Sequence, residues 1–190
     1  MAMEYICAGA GGFLVLYWVD YAGLKNKLRL KRILWVTGTA LLTAGVYGTC
    51  SSPAGFYFCF PVRLGGWAAS GVFFILLFYS LCIEIPFKNA YIQSGSSHQV
   101  VTTGTYALVR HPGVLWFTGF LAGLFFISGS KTLLIAIPVW VGMDVLYVFI
   151  QEKYFFIKLF GDEYSKYQKE APMLIPTSQS IRKCIKTFMK

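Results

Sequence analysis

Apolar stretches of about 17–21 residues recur along this 190-residue chain, each long enough to cross a hydrocarbon core of roughly 30 Å as an α-helix. The composition agrees. The chain is 56% hydrophobic and 18% aromatic, and only 13% is charged, where a soluble domain carries about a quarter. The expectation is an all-α integral membrane protein with five transmembrane helices, over residues 5–24, 33–50, 64–85, 114–127 and 132–150. The fourth run is short for a full crossing, which leaves a tilted or re-entrant helix open. A tight turn at Ser128-Gly129-Ser130-Lys131 makes the fourth and fifth helices a helical hairpin. Glu4 and no Lys or Arg precede the first run, so it lacks the basic leader of a signal peptide.

Charge placement orients the chain. The net charge is +9, and with the N-terminus outside, fifteen of the seventeen Lys and Arg fall on the inner face. They comprise the cluster Lys25, Lys27, Arg29, Lys31 and Arg32, then Lys88 and Arg110, then eight residues beyond Glu152. Anionic cytoplasmic headgroups account for such a distribution. No segment is long and polar enough to form a nucleic-acid module, so no nucleic-acid partner is expected. The expected location is a prokaryotic plasma membrane with a cytosolic C-terminus. The five cysteines show no metal-ligand spacing and no metal is expected. Cys50 and Cys59 flank an external loop; they read as small helix hydrophobes, with a disulfide as the alternative.

One polar stretch breaks the hydrophobic pattern. Residues 102–112 read Thr-Thr-Gly-Thr-Tyr-Ala-Leu-Val-Arg-His-Pro, between long apolar runs. Gln151 and Glu152 close the last run, followed by Phe160-Gly161-Asp162-Glu163-Tyr164-Ser165-Lys166-Tyr167 and by Pro172 to Pro176. Lipid cannot solvate this set, so it is expected to line a cavity at the inner membrane face. The fifth helix continues through 153–159, Gly161 ends it, and a second short helix starts at Asp162. Residues 181–190 alternate basic and apolar side chains and read as a surface-binding amphipathic segment.

The set His98-x-x-Val101-Thr102-x-Gly104-x-Tyr106, Arg110-His111-Pro112, Glu152, Phe160-Gly161-x-Glu163-Tyr164-x-x-Tyr167, Pro172 and Pro176 resembles the isoprenylcysteine carboxyl methyltransferase family and its relatives among membrane phospholipid methyltransferases. The resemblance implies one methyltransferase-like domain over 1–190. Residues 1–85 would form a three-helix membrane part, 86–176 the cofactor loop, hairpin and C-terminal helices, and 177–190 a basic tail. It implies S-adenosylmethionine as cofactor, contacted by His98, Gln99, Val100, Val101, Tyr106, His111, Pro112, Gly113, Val114 and Glu152, with Arg110 and Glu152 in the catalytic role. The expected partners are membrane lipids and a lipophilic or lipidated acceptor bearing an isoprenylcysteine-like carboxylate, an amine or a hydroxyl.

The chain departs from that family at three places. Val114 and Trp116 stand where it often has Tyr and Gly, Gln151 where it often has a first acid, and Val148 where the isoprenylcysteine enzymes carry an acceptor-side Arg. Asp144 is not explained by the resemblance. An acid inside a span usually faces the bundle interior. At about 100° per residue it shares a stripe with Val148 and Glu152, so Asp144 is read as an acceptor-binding residue, with a structural hydrogen bond as the alternative. Plainer readings stand beside the others. Arg110-His111-Pro112 would serve as interfacial anchor and helix start, Glu152 as a solvated acid beside Lys153, His98 as a loop histidine, and Tyr106, Tyr164 and Tyr167 as belt residues. Gly119 and Gly123 read as a helix-packing pair. Competing functions are an NADPH-dependent membrane lipid or sterol reductase and a non-enzymatic scaffold or small transporter.

Overall fold

The computed structural model describes residues 2–25, 27–84 and 100–188. Regular structure among them is helical, apart from one isolated bridge between Ala54 and Ser130. The long helices are α1 (Ala2–Leu24), α2 (Leu28–Cys50), α3 (Phe60–Phe78) and α6 (Lys131–Ile150). A π-helical turn over Tyr79–Glu84 prolongs α3; another over Gln151–Phe156 joins α6 to α7 (Ile157–Phe160). These four helices are long and apolar enough to span a bilayer, and the chain is an integral membrane protein. Between α3 and α6 lie α4 (Thr105–Leu108) and α5 (Pro112–Ser128). The 17 residues of α5 span roughly 25 Å, short of a full hydrocarbon core. Past α7 come α8 (Asp162–Glu170) and α9 (Ser178–Phe188).

Helix α2 starts five residues before the expected 33, because Arg29, Lys31 and Arg32 are good helix formers whose aliphatic stems line the helix. The continuation past Ile150 follows the expectation, and Gly161 ends it with φ 56°, a backbone open to glycine and costly for other residues.

Close backbone approach organises the bundle. A Cβ on Gly12 would lie 2.8 Å from the Gly38 carbonyl, so α1 and α2 meet backbone to backbone. A Cβ on Gly9 would clash with the indole of Trp140 at 2.4 Å, and that ring is fully buried and donates its N–H to the Ile6 carbonyl at 3.1 Å. That contact seats α6 on α1. Gly123 acts as expected, since a Cβ there would sit 2.7 Å from the Ser70 nitrogen and 2.9 Å from the Gly66 carbonyl of α3.

At the end remote from the polar cluster, the Ser130 hydroxyl caps α6 by accepting from the Leu133 N–H at 3.2 Å. It donates to the Thr49 carbonyl at 2.7 Å, which pins the α5–α6 turn to α2. Cys50 and Cys59 are both free thiols.

Candidate active site at the end of the sixth helix

Four side chains, two from the loop before α5 and two from α8, converge on one carboxylate. Glu152 sits in the π-helical turn after α6 and is nearly buried, at 8% exposure. Arg110 comes from the extended residues between α4 and α5, and its fork closes on Glu152 with Nε to Oε1 at 2.7 Å and Nη2 to Oε2 at 3.0 Å. His111 Nε2 lies 2.8 Å from Oε1. An ionised carboxylate only accepts, so this His carries its proton on Nε2. From α8, the Tyr164 hydroxyl donates to Oε1 at 2.9 Å and the Gln168 amide to Oε2 at 3.1 Å.

Backbone pairing holds the loop in this position. Residue 109 is extended, and the N–H groups of Arg110 and His111 donate to the carbonyls of Pro172 and Met173 at 2.9 and 3.2 Å. Arg110 Nη1 donates to the Gln168 and Ala171 carbonyls at 3.1 and 2.7 Å, capping the end of α8. Pro112 then opens α5, where its missing N–H costs nothing.

The electrostatics follow from this packing. Burial alone would weaken the Arg110 charge, but its bonds to Glu152 outweigh that and hold the guanidinium above its ordinary value. Burial, reinforced by the Glu152 charge, raises the Tyr164 phenol; burial likewise raises Tyr167. Both hydroxyls are therefore fixed donors.

A second chain of bonds secures the other side of the loop. Thr105 donates its hydroxyl and, at 2.8 Å, its backbone N–H to Glu84 at the end of α3. With the Thr105 proton committed, Ser80 donates to the Thr105 oxygen at 2.9 Å and accepts from Trp116 Nε1 at 2.9 Å. Gly104 makes room for Glu84, for it has φ 60° and a Cβ would collide with the acid. The Tyr106 hydroxyl donates to the Ser80 carbonyl at 3.2 Å, and the Tyr106 carbonyl accepts from Tyr167 at 2.6 Å.

Of the residues singled out in the sequence, Tyr106, Arg110, His111, Pro112 and Glu152 are brought together, with Val100 and Val101 packed on the Tyr106, Tyr164 and Tyr167 cluster. Val114 is buried in the first turn of α5, and Gly113 faces Leu81 and Leu77. His98 and Gln99 lie outside the described residues. Asp144 is not among the groups bonded to Glu152. It sits on α6 roughly 12 Å before it, as an electrostatic neighbour of Tyr17 on α1.

Tyr164 and Tyr167 are not belt residues, for they are 3% and 5% exposed. Gln168, Ser80, Glu84 and Asp20 belong to the surrounding network and were not singled out. For Gln168 the available signal was its place one turn beyond Tyr164.

Glu152 carries a surplus of donors. Its Oε1 has two lone pairs and three N–H or O–H groups within 2.9 Å. Three donors therefore crowd the two lone pairs of this one oxygen. Beside it, Phe156 stacks on His111 with ring centroids 6.0 Å apart and meets Tyr164 edge-on. A carboxylate, a guanidinium and aromatic faces in one dry cluster suit a zwitterionic nucleoside-like ligand.

Among curated proteins, a Schizosaccharomyces pombe protein named protein-S-isoprenylcysteine O-methyltransferase is 33% identical over 103 residues. The match takes in 47% of this chain and 43% of that protein, so the chain spans less than half the length of the relative it matches. No family model matches, and no solved structure matches. The similarity is distant and partial.

Proposed function

We propose that this protein is an S-adenosylmethionine-dependent methyltransferase of the membrane, acting on a lipophilic acceptor. The observation that carries the reading is the convergence of Arg110, His111, Tyr164 and Gln168 on Glu152 at the end of a spanning helix. The distant likeness to a protein named as an isoprenylcysteine methyltransferase supports the same chemistry. Tyr106, His111, Pro112, Gly113, Val114, Val100 and Val101 would enclose the cofactor, together with His98 and Gln99. Glu152 would meet its ammonium or a ribose hydroxyl by exchanging one of its three Oε1 donors. When bound, the sulfonium supplies a methyl group already activated for transfer.

The protein's part is therefore placement and exclusion of water. Arg110 keeps Glu152 ionised and fixes its orientation, and Tyr164 and His111 close the site from two sides. Helices α5 and α6 form the hairpin beside which an acceptor enters from the bilayer, with the site on the cytosolic side. Asp144 orients that acceptor, which favours an amine or hydroxyl over a carboxylate. Val148 agrees, since it leaves no cation on that stripe.

The test is transfer of label from methyl-tritiated S-adenosylmethionine into organic-extractable lipid by the protein in nanodiscs. Label in the lipid phase, lost in Glu152→Gln, is the expected result; no transfer to any lipid pool contradicts the reading. Asp144→Asn is expected to lower the apparent affinity for acceptor with cofactor affinity unchanged, and a normal rate with normal acceptor affinity removes Asp144 from the site.

A further inference from the structure

Helix α9 presents three distinct faces. At about 100° per residue, Ser180, Cys184 and Thr187 share one stripe, Ile181 and Ile185 a second, and Arg182 and Lys186 a third. The first stripe faces the protein. Ser180 is 2% exposed, and the Thr187 hydroxyl accepts the Gly104 N–H at 3.0 Å. The second is bare, with Ile181 44% and Ile185 54% exposed. The third is exposed too, and with Lys183, Ser178 and Gln179 it lines an open depression of about 500 Å³. The helix is well made at its start, where Thr177 and Ser180 cap each other reciprocally, with N–H to side-chain oxygen distances of 2.9 and 3.2 Å. Lys183 is tied to Glu170 of α8 at 2.6 Å.

The position of this helix tells what covers it. Gly104 lies in the loop that carries Arg110 to Glu152, so α9 stands at the end of the bundle where α6 terminates. The Gln151 amide donates to Asp20 at 2.7 Å, which brings the end of α1 to that same level. Exposed Lys25, Lys27, Arg29 and Arg32 follow directly. Two basic surfaces thus share one end of an integral membrane protein, and α9 adds an apolar stripe beside its cations. A water-facing helix gains nothing from exposed isoleucines; a helix at a charged interface buries them below the headgroups while its cations meet phosphate.

We propose that α9 docks on the anionic phospholipid headgroups of the bilayer that holds the protein. Ile181 and Ile185 enter the acyl boundary, and Arg182 and Lys186 meet the headgroup phosphates. Docking also holds Thr187 against Gly104, so surface charge steadies the turn that leads into Tyr106. The inference does not depend on methyl transfer.

The full chain is placed in nanodiscs of phosphatidylcholine alone or with phosphatidylglycerol, and backbone hydrogen exchange is followed by mass spectrometry. Anionic lipid is expected to slow exchange across residues 178–188 and at 103–106, by about fivefold for each basic side chain engaged, and high salt to reverse it. Arg182→Gln with Lys186→Gln removes the response to phosphatidylglycerol while protection within 131–150 stays as in the parent. Ile181→Ser with Ile185→Ser weakens protection in both lipids. Equal exchange in the two compositions, or a full response in the Arg182 and Lys186 variant, overturns the proposal. Because no cofactor enters the measurement, its failure is separate from failure of the methyltransferase reading.

Discussion

The side-chain amide of Gln151 donates to the Asp20 carboxylate at 2.7 Å, while the next residue, Glu152, gathers the Arg110 loop and α8. Two consecutive residues thereby fasten the end of α6 to α1 and to the candidate site. Tyr147 adds a second donor to Asp20 at 2.8 Å. The acid expected by resemblance at 151 is an amide, and a carboxylate from another helix stands beside it.

This pairing predicts a compensating pair of substitutions. Gln151→Glu sets a carboxylate against Asp20 and costs about 1.5–3 kcal/mol, the range for a lost hydrogen bond to a charged group. Asp20→Asn in that background restores the opposite pairing and recovers most of the loss. Thermal unfolding of the single and double variants in detergent measures the coupling. Additive losses would mean that the two side chains act independently.

Arg110 and Glu152 are each about nine-tenths buried, at 11% and 10% side-chain exposure. Removing one partner strands the other, so Glu152→Ala is expected to destabilise by about 3–5 kcal/mol. Arg110→Lys gives little rescue compared with Arg110→Ala, because a point charge cannot serve both carboxylate oxygens and the carbonyls of Gln168 and Ala171. Unfolding midpoints of the three variants decide this.

Four long spanning helices and the meeting of the 102–112 loop with Glu152 were legible in the sequence. Hydropathy fixes helix length in lipid, and the polar loop and the acid share the one face where the charges collect. Gly161 was legible as a helix end, and Gly123 as a contact point. The burial of Tyr164 and Tyr167 was not, because tyrosine serves equally as a belt residue and as a donor inside a cluster. Asp20 was overlooked since an acid four residues from the end of a span looks interfacial. Its partners, Tyr147 and Gln151, are more than 120 positions away. No local pattern marks Ser80, whose value lies in linking Trp116 to Thr105.

The raised Tyr164 phenol predicts an alkaline signature. The folded state holds that proton above the ordinary value of 10.0. The resulting stabilisation is complete below that pH and drains away as pH rises through the folded value. Tyr164→Phe lacks the contribution. Its deficit against the parent is expected to be constant from pH 7 to 9 and to shrink above about pH 10. A deficit independent of pH up to 11 would contradict the placement of the hydroxyl on Glu152.

Packing makes a prediction far from the site. Gly9→Ala presses a methyl against the Trp140 indole, 2.4 Å from its nearest atoms, and costs about 1–3 kcal/mol by overpacking. Trp140→Leu, damaging alone, should cost less in the Gly9→Ala background than in the parent. Denaturation of the four proteins gives the coupling, and its absence would show that α1 and α6 do not meet there.

The most direct test of the account is calorimetric titration of the nanodisc-embedded protein and its Glu152→Gln variant with S-adenosylhomocysteine and, separately, NADPH. The expected result is saturable binding of S-adenosylhomocysteine by the parent, weakened at least about tenfold in the variant, or about 1.4 kcal/mol, with no saturable binding of NADPH. Saturable binding of NADPH alone, or equal affinity of parent and variant for S-adenosylhomocysteine, would contradict it.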